Sequence, residues 1–288
     1  MYVSSLMRCR STLNHTDGLE QPLVESENQM RFMILGPLQI DAGDNTLTIS
    51  APKIEKLLLT LLIRANRAVR VDELISELWG QAPPRRARAA LHVYVSQIRK
   101  LLAEHDVVGN GGTEVALLTR GTSYLLQINP DHIDVTAAQR HYAQGQALLA
   151  DDPAGAFAEF SRAADMFRGP VADGVTDGGI VGGFAHGADE LRLECLEAIA
   201  HGSLQIGRHR ELVGQLAQWI EEYPLHESLR EQLMIALYRS GRRAEALAEF
   251  QTARRVLREE LGLEPRESMR QIQAAILDGG SQPTSRVA

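Results

Sequence analysis

The run Arg86-Ala87-Arg88-Ala89-Ala90-Leu91-His92-Val93-Tyr94-Val95-Ser96-Gln97-Ile98-Arg99-Lys100-Leu101-Leu102-Ala103 decides the fold. At roughly 100° per residue, Leu91, Val95, Ile98 and Leu102 fall within about 60° of one another, so a helix here has one inward-facing apolar stripe. The opposite face carries Arg86, Ala89, Val93, Ser96, Gln97 and Lys100, with His92 and Arg99 on its flanks. Between Gln81 and Leu102 there are Arg85, Arg86, Arg88, Arg99 and Lys100 and no acid. A face meant only for solubility normally interleaves Glu with Lys. This mixture suits a nucleic-acid duplex. Small residues allow close approach, Gln97 can pair bidentately with an adenine edge, Val93 can touch a thymine methyl, and the cations meet phosphates or guanines. Read from charge alone, a solvated helix face is the alternative.

Working outward, the residues before this helix are short and β-like: Phe32 to Leu35, a Gly36-Pro37 break, Leu38 to Ile40, a turn at Gly43-Asp44-Asn45, then Leu47 to Ile49. Ser50 offers a cap ahead of Pro52, and Ile54, Leu57, Leu58, Leu61 and Leu62 follow at helical spacing. A second helix is expected from Asp72 as N-cap, with Leu74, Ile75, Leu78 and Trp79 on one side, ended by Gly80 to Pro84. After the long helix comes a Gly-rich stretch at Gly109 to Gly112. Val115 to Thr119 and Tyr124 to Ile128 then read as two strands around Arg120-Gly121-Thr122-Ser123. A sheet, three helices and a terminal hairpin make a winged helix-turn-helix. Arg120 at the hairpin tip stands where a wing enters the minor groove, whose negative potential favours arginine; an exposed turn arginine is the plainer alternative. Trp79 suits the core, although its indole N–H can reach a phosphate.

The chain has 288 residues and a formal net charge of −7, too long for a peptide factor and too acidic for an unspecific DNA coat. By region the balance is −2 over residues 1–29, +3 over 30–130 and −8 over 131–288. A basic stripe on a near-neutral domain, with an acidic remainder, is the footprint of a polyanion partner. The hydrophobic fraction of 44% is enough for sizeable cores. Cys9 and Cys195 have no CxxC partner, so no zinc site or disulfide framework is expected and a reducing, cytoplasmic setting is the default. No apolar run approaches the ~20 residues a bilayer span needs, and no signal peptide is read. Residues 1–29 are polar and unpatterned, an expected disordered extension, with Met30 an alternative start.

From Ile133 onward only helices are expected, over about 134–150, 154–168, 188–206, 210–222, 226–240, 243–261 and 265–277. Gly207 and Gly241 lie 34 residues apart, each before an Arg-rich turn and an amphipathic helix, the period of a tetratricopeptide hairpin. Ala244-Glu245-Ala246-Leu247-Ala248-Glu249-Phe250 echoes Ala154-Gly155-Ala156-Phe157-Ala158-Glu159-Phe160, and Leu229, Leu233 and Leu237 continue such a seam. An unrelated helical bundle is the alternative. Gly169 to Gly187 holds seven glycines in nineteen positions and is expected to be a flexible loop, without the GxxxxGK[ST] spacing of a phosphate cradle. The expected organisation is therefore mainly α. An extension over 1–29 leads into an α+β winged helix-turn-helix domain over 30–130, then an all-α tetratricopeptide-like domain over 131–278 and a tail over 279–288.

Several ordered motifs also carry a resemblance. Met30-Arg31-Phe32-Met33-Ile34-Leu35-Gly36-Pro37-Leu38, the stretch from Ala65-Asn66-Arg67-Ala68-Val69 to Leu78-Trp79-Gly80, and Leu91 through Leu102 together resemble the Streptomyces antibiotic regulatory protein family. Glu222-Tyr223-Pro224-Leu225-His226-Glu227, Leu237-Tyr238-Arg239-Ser240-Gly241-Arg242 and Glu260-Leu261-Gly262-Leu263-Glu264-Pro265 are similar to its C-terminal bacterial transcriptional activation domain. The resemblance covers about residues 30–277. It implies an OmpR-type winged helix-turn-helix joined to a tetratricopeptide-like domain, in a pathway-specific activator of antibiotic biosynthesis genes that binds direct repeats near the −35 region and recruits RNA polymerase through sigma and other subunits. It further implies that the third helix is the recognition helix, that Arg120 is the wing contact and that the Gly80 to Pro84 loop faces polymerase. Ser123 stands where the family usually has Gly, Met166-Phe167-Arg168-Gly169 replaces a Trp-containing run, and the Gly-rich loop is longer than usual. Neither the ATPase nor the phosphopeptide-binding domain of larger relatives is expected.

The candidate DNA contacts are Trp79, Arg86, Arg88, Ala89, His92, Val93, Tyr94, Ser96, Gln97, Arg99, Lys100, Arg120 and Thr122. A head-to-tail homodimer on direct repeats about one helical turn apart follows from successive equivalent major-groove faces. No cofactor or metal is expected. An enzyme is disfavoured, because His186, His201, His209 and His226 lack a paired nucleophile or ligand spacing. A helical-repeat scaffold without specific DNA binding is the competing function.

Overall fold

The computed structural model describes residues 30–42, 46–105, 115–172 and 177–279. The expectations for residues 1–29, Gly43-Asp44-Asn45, Gly109 to Gly112 and 280–288 lie outside the described residues.

The chain opens with β1 (Arg31–Met33), β2 (Gln39–Asp41) and β3 (Thr46–Leu47), an antiparallel sheet in which Phe32 stands opposite Ile40 and Ile40 opposite Leu47. Three helices follow: α1 (Pro52–Ile63), α2 (Val71–Trp79) and α3 (Ala87–His105). The hairpin of β5 (Ala116–Arg120) and β6 (Ser123–Gln127) closes the unit. A short strand ahead of α2, β4 (Val69–Arg70), pairs with β6 and makes a second three-stranded sheet in the order β4-β6-β5. This strand corrects the expected cap of α2. Pairing carries the extended backbone through Arg70, Val71 N–H donates to the Thr122 carbonyl, and Asp72 falls inside the first turn. Ser50 likewise does not cap α1: Ala51 holds that position without a side-chain bond, and Pro52 supplies the first helical φ.

After a short 3-10 turn at Pro130–His132, seven further α-helices follow among the described residues: α4 (Asp134–Leu148), α5 (Pro153–Asp165), α6 (Gly179–Gln205), α7 (His209–Glu222), α8 (Glu227–Arg239), α9 (Arg243–Leu261) and α10 (Glu267–Asp278). They stack as consecutive pairs. The echoed segments occupy equivalent places: Ala156, Phe160 and Ala163 of α5 and Ala246, Phe250 and Ala253 of α9 are all buried. Their echoed acids also act alike, Glu159 bonding His141 of α4 and Glu249 bonding Arg230 of α8, each on the preceding helix. Gly207 and Gly241 sit at φ +80° and +78°, the left-handed turns that end α6 and α8.

The expected loop over Gly169 to Gly187 is overturned in its second half, where α6 starts at Gly179 and takes in Gly182, Gly183 and Gly187. Glycine disfavours helix by about 1 kcal/mol per residue, so this start needs outside help. It comes from α2: the buried Glu77 carboxylate accepts from Ile180 N–H at 2.9 Å and Val181 N–H at 3.0 Å, capping α6 from across the molecule. Val181, Ala185 and Ala188 then enter the same core as Phe32, Leu57, Leu74 and Leu91.

That shared core joins the head to the helical part. Phe32 bridges to Ile133, and the Asp134 carboxylate accepts from Ile34 N–H at 2.9 Å and Leu35 N–H at 3.0 Å. Burial pushes the Asp134 carboxyl above its ordinary value, only partly offset by those donors and by the Arg168 charge. Gly36, at φ +144°, lets Arg168 approach, since a Cβ there would lie 3.2 Å from the Arg168 Cβ. The Phe167–Ala172 segment buries Phe167, Val171 and Ala172 in the head's core. A second core, from Leu196 to Ile276, holds α6 through α10 together.

Candidate nucleic-acid interface

Helix α3 turns the two faces read from its sequence to opposite sides. Leu91, Val95, Ile98 and Leu102 are buried, whereas Arg86, Ala89, Val93, Ser96, Gln97 and Lys100 are exposed. Val93 is 53% exposed, although burying a valine stabilises by about 1.5–3 kcal/mol. An apolar side chain left in solvent among Gln97, Ser96 and Ala89 fits a surface that meets something else.

The remaining candidates divide by what they already hold. Arg99 Nε donates to the Leu117 carbonyl at 2.9 Å and its Nη2 to Thr119 Oγ1 at 2.8 Å, fastening α3 to the hairpin. His92 Nδ1 shares a 2.9 Å hydrogen bond with the buried Tyr124 hydroxyl and stands edge-on to its ring. These two residues position the wing. Arg88 Nη2 donates to Asp72 at 2.7 Å, linking α3 to α2. Trp79 and Tyr94 are half-buried and stacked, with ring centroids 6.1 Å apart, so they pack the α2–α3 corner. Lys100 is exposed and 3.6 Å from Glu104, a weak surface pair. Arg85, Arg86 and Arg120 hold no partner within the described residues.

At the wing tip Gly121, at φ +57°, and Thr122 form a two-residue turn between the paired Arg120 and Ser123. Such a turn matches the strand twist and favours glycine at positive φ. Ser123 therefore lies in the strand, and the turn's conformational demand falls on Gly121. Arg120 and the Thr122 side chain are exposed, while the Thr122 carbonyl is held by Val71 N–H. The Gly80–Pro84 loop is exposed throughout.

Two of the three lysines lie away from this face. Lys53 Nζ donates to the Leu78 carbonyl at the end of α2, and buried Lys56 pairs with Asp177. Sequence reading missed Lys56, Glu77 and Asp134. The available signal was a charge on an apolar stripe: Lys56 adjoins Leu57, and Glu77 lies between Leu74 and Leu78. Among the described residues no group of three or more His, Cys, Asp or Glu side chains is placed to hold a metal, and no helix is long and apolar enough to cross a membrane.

A winged helix with an acid-free outer face, carried on stacked helical pairs, defines a DNA-binding class of protein, and comparison with known proteins gives its family. Residues 46–126 match the model for the transcriptional regulatory protein C-terminal domain, and residues 133–277 that for the bacterial transcriptional activator domain. The regulatory protein DnrI of Streptomyces peucetius is 35% identical over 86% of this chain and 92% of its own length. The transcriptional regulator RedD of Streptomyces coelicolor is also 35% identical, over 85% of this chain and 69% of its length. The regulatory protein AfsR of Streptomyces griseus is 34% identical over 86% of this chain, which spans only 24% of AfsR. A solved structure of Mycobacterium tuberculosis EmbR, in complex with a low-affinity phosphopeptide, matches with a TM-score of 0.76 and 31% identity, over 89% of this chain and 66% of EmbR. The chain belongs to the Streptomyces antibiotic regulatory protein family of transcriptional regulators, which join an OmpR-type DNA-binding domain to a bacterial transcriptional activator domain.

Proposed function

We propose that this protein is a sequence-specific transcriptional activator of secondary-metabolite genes, acting in the cytoplasm as a head-to-tail homodimer on direct repeats near a −35 region. The observation that carries this reading is the outer face of α3, where Val93 and Gln97 stand exposed between Arg86 and Lys100 with no acid before Glu104. In this reading α3 enters the major groove, Gln97 and Val93 read bases, Arg86 and Lys100 hold phosphates, and Arg120 enters the minor groove. Arg88, Arg99 and His92 keep α2 and the wing in register with α3. The exposed Gly80–Pro84 loop and the acidic helical part face RNA polymerase and its sigma subunit.

The test is a gel-shift titration on selected sites with the full chain, because Phe167, Val171, Ala172, Val181, Ala185 and Ala188 complete the head's core. Gln97→Ala relaxes preference at one base pair, changing discrimination by about 1–3 kcal/mol, whereas Lys100→Ala weakens binding to all sequences alike. Unchanged affinity in both variants would refute the assigned face. Absence of salt-sensitive DNA binding would leave a helical-repeat interaction scaffold.

A further inference from the structure

Between the two cores lies a cleft of about 760 Å³, walled by Phe167 to Val171, by Ala185, Asp189 and Arg192 of α6, and by Glu222 and Tyr223 at the end of α7. That volume is in the range of small-molecule sites. Its charged groups differ in what they already hold. Arg192 Nη1 forms an ion pair with Glu222 at 2.8 Å and donates to the Tyr223 hydroxyl at 3.2 Å, with its guanidinium 5.7 Å above the Tyr223 ring. Arg168 turns the other way: its Nη2 donates to the Pro37 carbonyl at 3.2 Å and lies 4.0 Å from Asp134. Asp189 receives no hydrogen bond within the described residues, although Arg192, His186 and Glu190 are near enough to act on its charge. Burial pushes its carboxyl above the ordinary value. With the two arginines paired, the unspent group in the cleft is this half-buried carboxylate, beside the Tyr223 ring and the apolar wall of Phe167, Val171 and Ala185. A carboxylate partly removed from water without a donor is best complemented by a charged N–H donor.

We propose that this cleft binds a small organic amine with a flat apolar body, its ammonium donating to Asp189 and its body lying against Tyr223 and Phe167. The site owes nothing to the DNA face and stands whether or not that reading does. It also touches both halves of the molecule: Ala185 belongs to the head's core and Tyr223 packs on the second. The strap that walls it holds the head, through Arg168 N–H to the Leu35 carbonyl at 2.8 Å. An occupant therefore bridges the two cores and raises the thermal midpoint of the whole chain.

Three probes that share one indole body separate the chemistry: tryptamine, the neutral alcohol tryptophol and the anionic indole-3-propionate. The full chain is titrated with each by ligand-observed saturation-transfer NMR. Tryptamine is expected to bind about ten-fold more tightly than tryptophol, and the acid more weakly still. Asp189→Asn, with its far-UV circular dichroism unchanged, brings tryptamine level with tryptophol. Independently of any variant, tryptamine shifts the labelled methyl resonances of Ala185 and Val171 in the wild-type chain and leaves that of Ile276, deep in the second core, in place. Equal binding of the three probes, undiminished tryptamine binding by Asp189→Asn, absence of tryptamine binding, or shifts elsewhere without shifts at Ala185 and Val171 would each overturn the proposal.

Discussion

Replacing Glu77 by alanine tests the coupling of head to body at its most specific point. Glu77 is 6% exposed and its carboxylate takes two N–H groups, Ile180 at 2.9 Å and Val181 at 3.0 Å. Truncation orphans both donors at the start of a 27-residue helix. A buried unsatisfied donor costs about 1–3 kcal/mol, and a charged group at a helix N-terminus adds about 1 more. Val181 N–H is fully buried and Ile180 N–H partly so, which places the loss at about 3–4 kcal/mol, a large share of a typical ~5–15 kcal/mol stability. Glu77→Gln keeps one acceptor and loses about half as much. Urea unfolding followed by far-UV circular dichroism measures both. A second variant makes the reasoning specific, because a methyl at Gly178 runs into the Glu77 carboxylate. Gly178→Ala should destabilise the wild type by about 1–2 kcal/mol and be nearly neutral beside Glu77→Ala, a coupling of similar size. A Glu77→Ala loss below about 1 kcal/mol, or strict additivity of the pair, would refute the cap.

Glycine substitutions in helices should give opposite signs. Gly145→Ala places a Cβ 2.7 Å from the Phe160 ring and destabilises by about 1–3 kcal/mol, whereas Gly183→Ala and Gly187→Ala, with nothing within 4 Å, stabilise by about 0.5–1 kcal/mol each in the same urea assay. The His141 ring at 2.6 Å, with Arg162 beside it, holds the Glu159 carboxyl below its ordinary value. Such a group contributes stability above its unfolded value and loses it as pH falls through the folded one. Wild type and Glu159→Gln should thus differ at neutral pH and converge below about pH 4, and a constant gap between their unfolding midpoints down to acid pH would contradict this. Among the described residues the unpaired cations on the proposed DNA face are Arg85, Arg86 and Arg120, with Lys100 only weakly paired, so log K against log salt should have a slope of about −4 per bound chain. A slope about half again as steep, near roughly −5 to −6, would mean that Arg88 and Arg99 abandon their partners for phosphate.

What could be read in the sequence were patterns with a short period. The stripe of Leu91, Val95, Ile98 and Leu102 needs only the helical repeat, and the hairpin needs only alternation around Arg120 to Ser123. The helical echo was legible because Ala156 and Phe160 meet the same kind of neighbour as Ala246 and Phe250. What escaped was set by partners far along the chain. Glu77 caps a helix about a hundred residues later and Asp134 holds backbone about a hundred residues earlier, and no local propensity encodes either bond. The same gap explains the misread glycines: seven in nineteen positions forbid a helix on its own, but not one whose first turn is capped by Glu77 and whose Val181 and Ala185 face are buried. At the proposed DNA face the candidates fall on α3 and the residue just before it, on α2 or on the wing, but the sequence does not show what each already holds, because Arg99 and Lys100 are neighbours and only Arg99 reaches Leu117 and Thr119.

These long-range bonds change what the charge asymmetry means. Counted by region, the head is +3 and the body −8, as though two separate parts had been joined. Yet Lys56 neutralises Asp177 just ahead of α6, and Lys53 faces the C-terminal carbonyl of α2. Both lysines stabilise the fold, leaving the arginines and Lys100 to supply the field on the outer face. Domains that meet through small polar contacts move relative to one another. Here Phe167, Val171, Ala172, Val181, Ala185 and Ala188 complete the head's own core, so the body cannot swing away without exposing it. The direction in which α3 projects is therefore set by the same packing that orients the stacked helices. A protein bound to those helices would then be held at a fixed angle to whatever α3 touches, with the repulsion between the acidic body and phosphate helping to fix which side of the duplex it occupies.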